Sequence, residues 1–276
     1  MRLLCTDGMV RRREHEGISH STSVRRTTSA GYPYPEAKQF GPLSGGTSWE
    51  LSWRPLFVTQ SKEARAEFVA RLTKSGESAA ENEPETLKYA CFIPVDESDD
   101  KTLYVIEEYT GDEAFNYHMN LPHVQAMLGW LGEGNTVEGG LMDQKVKMNL
   151  TYIDDFFFVR PELKNAKNTF AAIAEIDYQP GGVEKSIPYW KAVVEEGRNN
   201  EPGTLLYGIA KDKDDENKLF AIEIYESKEY LYDVHVKSKA IEESIKNTEH
   251  LRTGLKHVFL KFAGGLLVKN QAGNKL

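Results

Sequence analysis

One stretch of this chain is written twice. Glu83-Pro84-Glu85-Thr86-Leu87-Lys88-Tyr89 returns as Glu201-Pro202-Gly203-Thr204-Leu205-Leu206-Tyr207. Each copy is followed by a second alternating segment, Leu103 to Tyr109 and then Leu219 to Tyr225. An acidic loop separates the two segments, Asp96 to Lys101 in the first copy and the shorter Asp212 to Glu216 in the second. Both copies then run into a helical pattern that carries a histidine, His118 and His235. A repeat of this length is too large for one turn of a solenoid and large enough to be a small domain.

The spacing of apolar residues predicts the elements of each copy. Trp53 to Thr59 reads as a strand with Pro55 at its beginning. Ser61 caps a helix with Ala64, Phe68 and Leu72 on one face, fading from Glu77 and ended by Pro84. Leu87, Tyr89, Cys91 and Ile93 alternate as one face of a strand whose antiparallel neighbour is Leu103 to Tyr109. A second helix follows from Gly111 or Asp112, with an apolar stripe that continues past Pro122. Gly132, Gly134, Gly139 and Gly140 mark a loop, and 148–152 with 156–159 close the unit as one or two strands. The second copy repeats the order: strand Phe170 to Tyr178, a helix with Trp190 and Val193, the strand pair, a helix capped by Ser227, and 257–262 with 266–269 as the last strand or strands. Each unit therefore reads β-α-β-β-α-β, a ferredoxin-like arrangement. One such unit covers only one face of its sheet with helices, so the other face calls for a partner. A second copy in the same chain supplies it. The fold class expected is α+β, two tandem ferredoxin-like units forming one intrachain α/β barrel. The expected divisions are a leader over 1–48, a first repeat over 49–160 and a second over 169–270.

Composition narrows the function. The net charge of −8 disfavours a nucleic-acid or anionic-membrane role. No apolar run reaches the ~18 residues of a membrane span. Two cysteines, Cys5 and Cys91, far apart, fit a reducing compartment and no disulfide framework. No metal-ligand spacing, phosphate-binding glycine loop or nucleophile elbow occurs, which disfavours a metal site, nucleotide-dependent chemistry and serine hydrolysis. Residues 1–48 are rich in Ser, Thr, Gly, Pro and Arg without periodicity, which reads as a disordered leader. An organelle transit peptide is the alternative, spoiled by Asp7, Glu14 and Glu16; cytoplasmic location is the expectation.

The Glu-Pro-x-Thr-Leu-x-Tyr element, the strand Leu103 to Tyr109 and the helix with His118 and His123, repeated as Glu201 to Tyr207, Leu219 to Tyr225 and His235, resemble the antibiotic biosynthesis monooxygenase family of dimeric α/β barrels. The resemblance covers residues 53 to 270. It implies a barrel that other members close by dimerising and that this chain, as a fusion of both halves, closes as a monomer or presents as a homodimer. It also implies a cofactor-independent monooxygenase whose partners are a small quinol-like or polycyclic aromatic substrate and molecular oxygen. Haem degradation and non-catalytic small-molecule binding are the other activities the family suggests.

The candidate catalytic residues are His118, His123 and Glu107. His118 is the leading base, since an imidazole titrates near neutral pH and can take a phenolic proton. His123, five residues on, is the orienting group and has Ala240 as its counterpart in the second copy. Glu107, matched by Glu223, is a carboxylate among apolar neighbours. Tyr89, Tyr104 and Tyr109, matched by Tyr207, Phe220 and Tyr225, are candidates to line a cavity for a planar substrate. The alternatives are a helix-surface or strand-end place for the histidines, a solvated place for Glu107 and a core place for the tyrosines.

Overall fold

The computed structural model describes residues 50–136, 148–166 and 168–269; the leader, Gly139, Gly140 and the last seven residues lie outside them. Eight strands form one closed barrel in the order β1-β3-β2-β8-β5-β7-β6-β4, all pairs antiparallel. Repeat one contributes β1 (Glu50–Val58), β2 (Thr86–Pro94), β3 (Thr102–Tyr109) and β4 (Met148–Val159). Repeat two contributes β5 (Phe170–Tyr178), β6 (Thr204–Asp212), β7 (Lys218–Tyr225) and β8 (Arg252–Leu266). Within each repeat the strands lie in the order fourth, first, third, second. The two sheets are joined by their fourth strands, which cross over: β4 bonds to β6 and β8 bonds to β2. Closure removes both sheet edges, the usual sites of unwanted strand pairing, and it does so within one chain.

Period-2 alternation sorts each strand into two faces. Ala90, Phe92, Ile106, Ile173, Phe220, Ile222 and Leu260 point into the barrel and form its apolar interior. Outside, α1 (Lys62–Asn82) packs Phe68 and Leu72 on Tyr89, Cys91, Leu103 and Val105. Its counterpart α4 (Gly182–Asn200) packs Trp190, Val193 and Val194 on Tyr207, Ile209 and Leu219. Burying one such side chain contributes about 1.5–3 kcal/mol, so these two outer layers and the interior carry the fold. α1 also lies on β8 of the other repeat. A Cβ at Gly76 would stand 2.6 Å from the Gly265 Cα, and Gly265 itself adopts φ +99 against the Tyr89 carbonyl. Only glycine accepts that backbone at so close an approach.

Several boundaries differ from the expectation, each for a local reason. Pro55 lies within β1 rather than at its start, because the β1–β3 pairing skips between Arg54 and Phe57 and the missing N–H falls in the irregularity. α1 does not fade at Glu77; Ser75, Gly76 and Ala79 are buried under it and hold it to Asn82. The helical pattern after Gly111 is two helices, α2 (Asp112–Met119) and α3 (Pro122–Trp130), with Pro122 at the first position of α3, where its absent N–H costs nothing. The same pattern in repeat two breaks into α5 (Lys228–Asp233) and α6 (Lys239–Thr248), the latter capped by Ser238. Gly132 and Gly134 fall in a π-type turn over Leu131–Asn135. Of the one or two strands expected at the end of each repeat, each repeat has one, β4 and β8. In β4 the pairing skips from Tyr152 to Phe157 around Asp155 at φ 64, so the intervening residues bulge outward.

Candidate active site

Glu83 closes α1 and starts the repeated turn into β2. Its Oε2 accepts from Thr86 Oγ1 at 2.9 Å and from His118 Nδ1 at 2.7 Å, and both the carboxylate and the imidazole are 1 % exposed. Burial alone would raise the Glu83 pKa. The hydrogen bond and charge of His118, with the Thr86 bond, outweigh it, and Glu83 stays below the usual carboxylate range. His118 comes from the last turn of α2, and with Nδ1 donating to the carboxylate its other nitrogen is the one available for exchange. Tyr89 and Tyr109 flank the ring at 4.7 and 5.6 Å between centroids. Glu107 is the cross-strand partner of Tyr89 and shares its face. It is buried, and its Oε2 has no hydrogen-bond partner among the described residues.

His123 lies in the first turn of α3, half-buried. Its Nε2 is shielded from solvent and has no partner among the described residues. Burial draws its pKa down; the Glu83 charge opposes this, and His118 and Lys74 add to it. The net is a pKa below the ordinary histidine value, with Glu83 and His118 both acting on the imidazole through their charges.

Repeat two builds the same network. Glu201 Oε2 accepts from Thr204 Oγ1 at 2.7 Å and from His235 Nδ1 at 2.8 Å. Tyr207 and Tyr225 each stand 5.3 Å from the His235 ring. The Tyr225 hydroxyl donates to Glu223 Oε2 at 2.9 Å. Burial first, then the Glu223 charge, drives both tyrosines well above the usual phenol range. For His235, burial pulls the pKa down, but the Glu201 hydrogen bond and the charges of Glu223 and Glu201 carry it above the ordinary value. Ala240 occupies the His123 position at the start of α6 and packs in the outer apolar layer.

The structure thus brings His118, Tyr89 and Tyr109 into contact, places Glu107 on the same face, and couples His123 to them. His118 is not on the outer helix surface and Glu107 is not solvated, at 1 % and 8 % exposed, whereas His123 is only half-buried on α3. Tyr104 does not belong to the group. It sits an odd number of residues from Tyr109, so it points to the opposite face, into the barrel beside Phe92 and Ile106. The sequence reading overlooked the carboxylate that holds each histidine. Its signal was present in the repeat, since Glu83 and His118 are 35 residues apart and Glu201 and His235 34. It also overlooked a buried ion pair inside the barrel. Lys88 Nζ bonds Glu108 Oε2, both side chains less than a tenth exposed, and the ammonium stands 4.9 Å over the Phe157 ring. The Glu108 charge adds to burial in holding the Tyr152 phenol well above its usual pKa. Repeat two has Leu206 and Ile224 at these places.

Two segments, 57–130 and 169–247, match the family described as antibiotic biosynthesis monooxygenase, together more than half of the chain. No curated protein sequence matches significantly. Among solved structures, a candidate monooxygenase of Lactobacillus acidophilus NCFM aligns with TM-score 0.64 at 17 % identity, over 81 % of this chain and 100 % of its own. A candidate monooxygenase of Fusobacterium nucleatum subsp. nucleatum ATCC 25586 aligns with TM-score 0.64 at 21 % identity, over 83 % of this chain and 99 % of its own. An anthrone oxidase-like protein aligns with TM-score 0.51 at 10 % identity, over 79 % of this chain and 92 % of its own. These likenesses concern the fold, and their coverage exceeds what one repeat could supply. With both repeats matched by the same family, each within a βαββαβ half of one closed barrel, the chain belongs to the antibiotic biosynthesis monooxygenase family as a two-repeat member.

Proposed function

We propose that the chain is a monooxygenase that oxygenates a quinol-like or polycyclic aromatic substrate without a cofactor, with repeat one as the working half. The observation that carries the reading is the pair of imidazoles in repeat one, His118 held on Glu83 at 2.7 Å and His123 with its Nε2 shielded and unpartnered among the described residues. A substrate of this class carries its own electrons. Loss of a proton from a methylene between aromatic rings gives an anion that donates one electron to oxygen. Recombination forms a carbon–peroxide bond, and loss of water breaks the O–O bond. One oxygen atom remains as the new carbonyl, and the other leaves as water with the two methylene hydrogens. The protein supplies a base and a water-poor aromatic setting. In this assignment His123 takes the proton, and His118, fixed by Glu83, is the second imidazole. Tyr89 and Tyr109 present rings, and Glu107 adds a carboxylate. This exchanges the roles first expected for the two histidines, because His118 is tied to Glu83 whereas His123 Nε2 has no partner among the described residues. Tyr104, on the opposite face, has no part in it.

One observation favours a second reading. The Glu–Thr–His link is present in both repeats, and repeat two lacks the second imidazole. The link then serves as a latch between helix and sheet, and the barrel binds a small molecule without turnover. Oxygen uptake with a panel of hydroquinones and anthrones separates the two. His123→Ala and His118→Ala should each lower turnover by about 10²-fold, with His235→Ala near the parent value. Equal small effects from all three substitutions would leave the binding reading.

A further inference from the structure

We infer that Lys269 and Arg160 are positioning residues, each setting the glutamate–histidine pair of the repeat to which it does not belong. The crossover of the fourth strands delivers them. β4 ends at Val159, paired to Leu206, and the Arg160 amide donates to the Leu205 carbonyl at 2.8 Å. The Arg160 guanidinium then donates through Nε to the Thr204 carbonyl at 2.9 Å. Its Nη2 donates to the carbonyls of Gly197 at 3.0 Å, Arg198 at 2.8 Å and Glu201 at 3.2 Å. Three residues beyond the end of β8, Lys269 Nζ donates to the carbonyls of Ala79 at 2.8 Å, Glu83, and Thr86 at 3.3 Å.

The last carbonyls of a helix have no partners within it, and a cation there also meets the negative end of the helix dipole. Here the cation does more than cap. In both repeats it bonds the carbonyls of the first and last residues of the Glu-Pro-x-Thr turn, Glu83 with Thr86 and Glu201 with Thr204. Those same two residues supply the side chains of the Glu–Thr–His network. Clamping the turn at both ends fixes where the carboxylate stands and hence the histidine that donates to it. Neither cation touches the imidazole, so each acts through the turn. The arrangement is crossed: the end of repeat two sets His118, and the end of repeat one sets His235. Any consequence for turnover rests on the proposed role of repeat one; the crossed pattern does not.

Histidine-selective NMR of the full chain tests it, by following the Nδ1 protons and ring titrations of His118 and His235. Around His118, Glu83, Tyr89 and Tyr109 are in contact, His123 acts through charge, and Glu107 lies opposite Tyr89 on the same strand face. Those that face His235 are Glu201, Glu223, Tyr207 and Tyr225. Lys269→Met should speed solvent exchange of the His118 Nδ1 proton by about tenfold or more, the scale of one lost charged hydrogen bond, and leave His235 unmoved. Arg160→Met should do the reverse. Lys269→Arg, which keeps the charge, should restore most of the His118 signal. If the methionine variants do not fold, Lys269→Gln and Arg160→Gln, which remove the charge and keep a donor, give the same crossed pattern at smaller amplitude. Perturbation of the histidine within the variant's own repeat, of both histidines equally, or of neither overturns the inference. An inactive parent protein that still shows the crossed pattern would refute the oxygenase reading alone.

Discussion

Replacing Lys88 by leucine should be among the most damaging single changes to this barrel, and adding Glu108→Ile should repair it. Lys88 and Glu108 are cross-strand partners on β2 and β3, facing an interior otherwise made of Phe92, Ile106, Leu206, Ile222 and Leu260. Their charges satisfy each other and the ammonium rests on Phe157. Removing one member strands the other charge in that interior, which costs about 3–5 kcal/mol. For a folded unit of this size, with each kcal/mol worth roughly 2–4 °C, the melting temperature should fall by about 6–20 °C. The double substitution installs the Leu206–Ile224 pairing that repeat two already uses at the same place. Exchanging a buried ion pair for apolar residues of similar volume is commonly neutral or stabilising by about 1–4 kcal/mol. Urea unfolding of the parent, both single variants and the double gives the cycle. A double variant as unstable as Lys88→Leu alone would refute the reasoning. It would mean that the pair contributes net stability that apolar contacts do not replace.

Two further outcomes follow from particular contacts. The His235 pKa is raised in the folded protein, so its bond to Glu201 stabilises fully below the unfolded value of about 6.5 and loses its contribution as pH rises through the folded value. The melting temperatures of parent and His235→Gln should therefore converge as pH is raised, and a gap that widens with pH would contradict the shift. Gly208→Ala should destabilise by about 1–3 kcal/mol, the usual cost of overpacking, because its Cβ would lie 2.5 Å from Tyr152 Cε1 and 2.9 Å from Phe157 Cδ2; an unchanged urea midpoint would show that the aromatic pair yields freely.

Much of the fold was legible because strand faces and helix stripes are local patterns. Leu87, Tyr89, Cys91 and Ile93 alternate, Ser61 and Ser227 cap, and the duplicated Glu-Pro-x-Thr turn marks the same point in both halves. The opposite facing of Tyr104 and Tyr109 was also legible, since it follows from parity along one strand. The lengths of α1 and β8 were not, because each is extended by packing on a distant element: α1 on β8 through Gly76 and Gly265, and β8 along both β5 and β2.

What the sequence determined by itself was the two-unit βαββαβ architecture and the residue types at the candidate site, because periodicity and repetition are written along the chain. The tertiary structure decided the rest. It set the crossover of β4 and β8 that closes the barrel. It buried His118 on Glu83 and left His123 Nε2 without a partner among the described residues. It carried Lys269 and Arg160 to the opposite repeats, and it sank the Lys88–Glu108 pair into the interior. The physical reason is common to all of these. Burial, hydrogen-bond partnership and pKa depend on which groups meet in space, and here the groups that meet come from separate elements, up to 190 residues apart in the case of Lys269 and Ala79.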